Sequence, residues 1–149
     1  MLARRGGFSK MLPIVVALMA TVILLVWMGF FMMGSLPLLV LSHDTPLDSR
    51  FIRGLFNVYY VAVVLTASAA ALSYAWCGKP FFAVGMAFIA GLAFALRRWL
   101  IIPRMDVLRH TIPATVTSIV QFRKLHIAGM VLNVMQLGTV AWALTQLGL

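Results

Sequence analysis

The chain is expected to be an all-α protein, a transmembrane antiparallel four-helix bundle, and three observations point that way. Of its 149 residues 63% are hydrophobic and only 10% charged, whereas a water-soluble domain carries about a quarter charged residues. Four long apolar stretches cover most of the chain, and each has roughly the 20 residues needed to cross a hydrocarbon core about 30 Å thick. The basic residues sit at or near the ends of these stretches, where they would anchor helices at the headgroups. Together these exclude a water-soluble enzyme, a disordered tail and a conventional nucleic-acid-binding domain. One membrane domain over 1–149 results, with spans at about 12–33, 51–76, 81–102 and 122–147.

The first span follows Arg4, Arg5 and Lys10. Its apolar run is about twice the length of a signal-peptide core and lacks a small-residue cleavage site, so it reads as an uncleaved span with a basic anchor. Pro13 sits near its start, where a missing N–H costs little. Gly34, Ser35 and Pro37 then interrupt the run, and Leu36 to Leu41 reads as a kinked continuation into a polar loop around His43 and Asp44. The second span ends at Cys77-Gly78-Lys79-Pro80, a connection short enough to make spans two and three antiparallel neighbours. The third carries Ala83, Ala87, Gly91 and Ala95 at four-residue spacing, a stripe that would let another helix approach closely in lipid. A loop or short helix is expected from Pro103 to Gln121, and the last span starts near Phe122 or as early as Pro113.

Net charge is +9, from 12 Lys+Arg against 3 Asp+Glu. Arg50, Arg53, Arg97, Arg98, Arg104, Arg109, Arg123 and Lys124 fall on the side of loops one–two and three–four. Arg4, Arg5, Lys10 and Lys79 fall on the other. The positive-inside rule puts the richer side in the cytoplasm of a bacterial inner membrane. Contact with anionic membrane lipids is the expected use of these cations; nucleic acid is not an expected partner. Cys77 is the one cysteine, which excludes an intramolecular disulfide and a dithiol redox pair. No glutamate is present, which excludes a di-iron carboxylate bundle. The ten methionines are scattered and read as core filling rather than a copper path.

The segment from Phe122 to Gln136 is the most informative. At 100° per residue Asn133 lies about 20° from His126 around the helix, with Gln136 about 60° further. His126, Asn133 and Gln136 thus form one polar stripe descending into the membrane. Lipid cannot satisfy an imidazole or an amide, so the stripe should face other helices or a hydrated cavity, with Asn57, Tyr59, Tyr60 and Thr66 of span two opposite. It reads either as interhelical glue, which needs no cofactor, or as a pocket for a ligand such as a haem or a quinone. A proton or ion path is the third reading. His43, His110 and His126 fall on or near one side and are candidates for a metal or haem, although no HxxxH or HExxH spacing supports it. Arg97 and Arg98 beside Trp99 read as interfacial anchors, or as guanidinium groups turned inward onto an anionic head, a quinone carbonyl or an acid of the first loop.

The residues Gly29-Phe30-Phe31, Arg50-Phe51, Tyr59-Tyr60, Ile102-Pro103-Arg104 and Phe122…Leu125-His126…Asn133…Gln136 resemble a bacterial family of small four-helix membrane proteins similar to transmembrane protein 205 of animals. The resemblance implies fold and membrane location more than activity. Three functional expectations stand beside it. The first is an accessory or structural subunit of a larger inner-membrane complex, respiratory or photosynthetic, held by other membrane subunits or by self-association. The second is a membrane-embedded redox or oxygenase-like protein binding haem, quinone or another lipophilic substrate. The third is a small-solute or metal exporter. No complete catalytic set is present to favour an enzyme.

Overall fold

The protein, seen in a computed structural model, is described over residues 3–40, 46–110 and 116–145. Helix α1 runs Ala3–Leu38, α2 Pro46–Trp76, α3 Pro80–Ala95, α4 Ile101–Arg109 and α5 Val116–Thr145. A single π-helical turn, Leu96–Leu100, joins α3 to α4, so the two form one continuous rod. The four rods are each long and apolar enough to span a membrane, and they form an antiparallel four-helix bundle. Around the bundle α1 packs on α2, α2 on the α3–α4 rod, α4 on α5, and α5 back on α1.

The burial pattern is not that of a water-soluble bundle, because the outer surface is apolar like the core and several polar side chains are buried. Met19, Val26, Phe30, Leu65, Leu72 and Phe88 point outward, while Thr21, Ser35, His126, Asn133 and Gln136 are buried. An outer surface of this kind suits hydrocarbon, and inside the bundle Thr21 and Asn133 find hydrogen-bond partners that lipid cannot supply. The core faces repeat at three- and four-residue spacing: Ala17, Thr21, Leu24, Met28 and Phe31 on α1, and Ile52, Phe56, Tyr59, Tyr60, Val63, Ala67, Ala70 and Tyr74 on α2.

The helices outrun the expected limits in three places. Gly34 and Ser35 do not break α1, which continues to Leu38; its last turn tightens into Leu39 N–H to Leu36 O and Val40 N–H to Pro37 O bonds. Pro13 therefore lies inside a helix that begins at Ala3, where it removes one ladder bond. Pro103 does not end the third rod either. A proline cannot donate to the carbonyl four residues back, and the turn before it widens so that Ile101 N–H reaches Leu96 O. The wide turn absorbs the proline, and the rod runs on unbroken to Arg109.

The small-residue stripe of α3 is set to one side of that helix's buried face. Met86, Ile89, Ala90 and Ala93 make the face of α3 that is buried. Ala87 and Gly91 are exposed, and among the described residues a Cβ added at Gly91 would meet open space beyond its own stretch of helix. Ala83 and Ala95 are half-buried, Ala83 against the core, so the stripe runs along the edge of the internal seam.

The α2–α3 turn is a Schellman motif. Gly78 holds a φ of 69°, with Gly78 N–H on Ala75 O and Lys79 N–H on Tyr74 O. Gly129 on α5 serves a different need, because a Cβ there would collide with the ring of Phe56 on α2. Gly129→Ala is expected to lower stability by about 2 kcal/mol or more, since a buried rigid ring must move. Gly78→Ala is expected to lose about 1 kcal/mol for its left-handed backbone. Thermal unfolding in detergent, followed by helical circular dichroism, should rank the two variants in that order.

Candidate functional site

The bundle's buried polar centre lies where α1, α2 and α5 meet. His126, Asn133 and Gln136 occupy the inner face of α5 with Ser118, Phe122, Gly129, Met130 and Val140, one or two per turn. Tyr59 on α2 projects between them. Its Oη donates to Asn133 Oδ1 at 2.6 Å, and Asn133 Nδ2 donates to the Met28 carbonyl oxygen of α1 at 3.1 Å. One amide thus ties three helices together.

Gln136 Oε1 stands 3.2 Å from the same Tyr59 hydroxyl, and Nε2 is buried with no hydrogen-bond partner among the described residues. A phenol has one proton, and the 2.6 Å bond to Asn133 holds it. The Gln136 amide then has two orientations of equal shape. With Oε1 toward Tyr59, Nε2 is left over. With Nε2 toward Tyr59, a donor chain runs Gln136, Tyr59, Asn133, Met28 carbonyl, and Oε1 takes the position that Nε2 held. In both, the head of Gln136 keeps hydrogen-bonding capacity unused.

Aromatic rings wall this centre. Phe31 stacks on Tyr59 with centroids 4.1 Å apart, and Phe56 meets Phe31 edge-on at 4.8 Å. His126 is fully buried and edge-on to Phe56 at 5.6 Å. Tyr60 is also buried, 5.3 Å from Tyr59 between ring centres. Of the other candidates on α2, Thr66 bonds its own helix at Ala62 O, and Asn57 turns elsewhere.

Asn57 accepts a 3.1 Å bond from Arg97 Nε, which the π turn presents to α2. Arg97 therefore turns inward onto an amide, while Arg98 is exposed. A stronger contact nearby is not legible in the sequence. Arg53 clamps Asp106 with both ends, Nε to Oδ1 at 3.0 Å and Nη2 to Oδ2 at 2.9 Å, and Arg109 stands 3.7 Å from Oδ1. This paired geometry locks α4 to α2.

The three histidines do not form a described cluster. His43 lies outside the described residues. His110 is exposed at the end of α4, with Nδ1 2.6 Å from Asp106 O, and His126 lies well inside α5. Among the described residues no group of three or more His, Cys, Asp or Glu side chains gathers.

Beside the polar centre the wall of the bundle is open. A groove of about 760 Å³ separates α3 from the second half of α5, lined by apolar residues that include Phe81, Val84, Phe88, Leu132, Met135 and Trp142. Phe81, Val84, Phe88, Met135 and Trp142 are exposed, so the groove opens on the lipid-facing surface. Two polar side chains line it, Gln136 and Thr139. Thr139 gives its hydroxyl proton to Met135 O at 2.8 Å and keeps only acceptor capacity, while Gln136 carries a buried amide head with unused capacity. Comparisons with protein-family models, curated proteins and solved structures each find no match to this chain.

Proposed function

We propose that this small integral membrane protein binds a lipophilic molecule bearing a hydroxyl or carbonyl head, taken sideways from the bilayer into the groove between α3 and α5. The observation that carries the reading is Gln136, nine-tenths buried, lining an otherwise apolar groove with hydrogen-bonding capacity unused. Lipid tails are as apolar as the groove, so an alkyl chain gains little by leaving the bilayer for it. Selectivity must come from the polar head, and an amide in hydrocarbon attracts the group that completes it. A hydroxyl both donates and accepts and therefore suits either orientation of Gln136; a carbonyl suits one. The volume falls within the range of small-molecule sites. Quinols and quinones belong to this chemical class, and the resemblance to transmembrane protein 205 and its bacterial relatives belongs to the same proposal.

Trp142 reports on the groove. In a chain retaining Trp142 alone, with Trp27, Trp76 and Trp99 replaced by Phe, a brominated long-chain alcohol should quench its fluorescence saturably. Hexadecan-1-ol should compete and hexadecane should not. Gln136→Leu should weaken the alcohol about tenfold, the worth of one hydrogen bond of about 1–2 kcal/mol. Equal competition by alkane and alcohol would overturn the reading.

Orientation is part of the proposal: the eight-cation side faces the cytoplasm of a bacterial inner membrane. Cys77 lies at the α2–α3 turn on the opposite side, half-buried. A membrane-impermeant maleimide should label it in intact spheroplasts. Labelling only after permeabilisation would reverse the assignment.

A second reading, an accessory subunit docked to a larger electron-transfer complex, draws on the outward small-residue face of α3 at Ala87 and Gly91. Such faces admit a neighbouring helix closely. Gly91→Leu meets open space in this chain, so it should leave the fold intact. Loss of a co-purifying membrane chain in that variant supports docking, and an unchanged complement of partners removes it.

A further inference from the structure

A second cavity, independent of the groove above, lies on the other half of the α5 seam. A notch of about 560 Å³ between α4 and α5 is lined by Arg104, Lys124 and Gln121, with Val107, Leu125 and Ala128 among its apolar walls. The cations are the informative part. The chain has three acids against twelve Lys+Arg, and Asp106 is engaged by Arg53 and Arg109. Neither Arg104 nor Lys124 makes a hydrogen bond or ion pair among the described residues, and both are exposed.

Their depth narrows what can neutralise them. Roughly 20 helical residues cross the hydrocarbon core. Counting from Pro80 along the third rod brings the boundary to about Leu100, and counting back from Thr145 brings it to about Leu125. Arg104 and Lys124 therefore both line the notch just outside the core, near the level of lipid phosphates. Around them Val107 and Ala128 are exposed and Leu125 is half-buried, with Leu125 and Ala128 on the hydrocarbon side of Lys124. The notch joins a doubly cationic rim to an apolar wall that faces the bilayer.

We infer that this notch is a site for an anionic phospholipid, with its phosphate between Arg104 and Lys124 and an acyl chain against the α4–α5 wall. A soluble anion would use the rim and leave the wall uncovered. A zwitterionic lipid brings a cationic end to two uncompensated cations, whereas an anionic lipid brings net negative charge. Of the exposed cations on this side, Arg50 and Arg98 do not line the notch, which makes them internal controls.

The test is native mass spectrometry of the full chain released from mixed micelles holding phosphatidylglycerol and phosphatidylcholine in equal amount. The expected result is retention of phosphatidylglycerol over phosphatidylcholine by about tenfold. The advantage should be lost in Arg104→Gln/Lys124→Gln and kept in Arg50→Gln/Arg98→Gln. Exchanging the two cations, Arg104→Lys with Lys124→Arg, should preserve it, and this variant keeps the test open should the neutral pair fail to fold. Equal retention of the two lipids by the unmodified chain overturns the inference. So does an equal loss in the Arg50/Arg98 control, or displacement of the lipid by millimolar inorganic phosphate. Gln136→Leu should leave the retention unchanged, which separates this site from the groove between α3 and α5.

Discussion

Lipid offers no hydrogen bonds, and that constraint accounts for the centre of this protein. Asn133 gives its carbonyl oxygen to Tyr59 and its amide hydrogen to the backbone of Met28. An amide on α5 could not be placed toward hydrocarbon without losing both bonds, so the rotation of α5 about its axis is set by one residue. Once α5 is turned that way, His126 must lie against Phe56, and Gly129 must lie under the same ring, where a side chain larger than hydrogen has no room. A second polar pin holds α1 to α2: Thr21 donates to Ala17 O at 2.8 Å, and its hydroxyl oxygen is 3.0 Å from the Tyr74 hydroxyl. Since the threonine proton is engaged within α1, Tyr74 is the donor across the interface. Such contacts inside a membrane are worth about 1 kcal/mol each, and their larger effect is to choose one rotation and register among many that apolar packing alone would allow.

The polar stripe on α5 is legible in sequence because its signal is local. His126, Asn133 and Gln136 repeat near the helical period in a segment otherwise suited to lipid, and that contrast defines an inward face. The four rods are legible for the same reason. Partner choice is not local. Asp106 and Arg53 are 53 residues apart, and nothing in the composition of either segment distinguishes that pair from the other arginines within reach of an acid. Pro103 shows a different failure. Proline is read as a helix breaker because it removes one ladder bond, yet a single wide turn upstream compensates for it, and the rod continues. The small-residue stripe of α3 says that a helix can come close without saying which one: Ala87 and Gly91 turn outward, while Met86, Ile89, Ala90 and Ala93 make the buried face one residue around.

The π turn ties the shape of the third rod to its chemistry. Widening the helix at Leu96–Leu100 rotates α4 relative to α3, and Arg97 then reaches Asn57 while Asp106 faces Arg53. Both contacts join the same two rods at the same end of the bundle. That end also holds α4 against α5, and Arg123 Nη2 donates to Leu39 O at 3.4 Å, which joins α5 to the end of α1. Polar fastening is thus concentrated on the cation-rich side.

The opposite half is fastened differently, and this explains why a groove persists there. α3 is held to α2 by apolar contact, with Tyr74 and Phe82 rings 5.5 Å apart, and the Schellman turn keeps the two helices adjacent. α5 is held through Asn133 to α1 and α2. Among the described residues no hydrogen bond or ion pair joins α3 to the second half of α5. In water such a cleft would collapse to bury Phe81, Phe88 and Trp142. In a bilayer the same surfaces are already solvated by acyl chains, so there is no comparable force to close it. The divergence of α3 from α5 is therefore stable without a ligand. On the proposed reading, the amide of Gln136 on its wall is what selects the occupant.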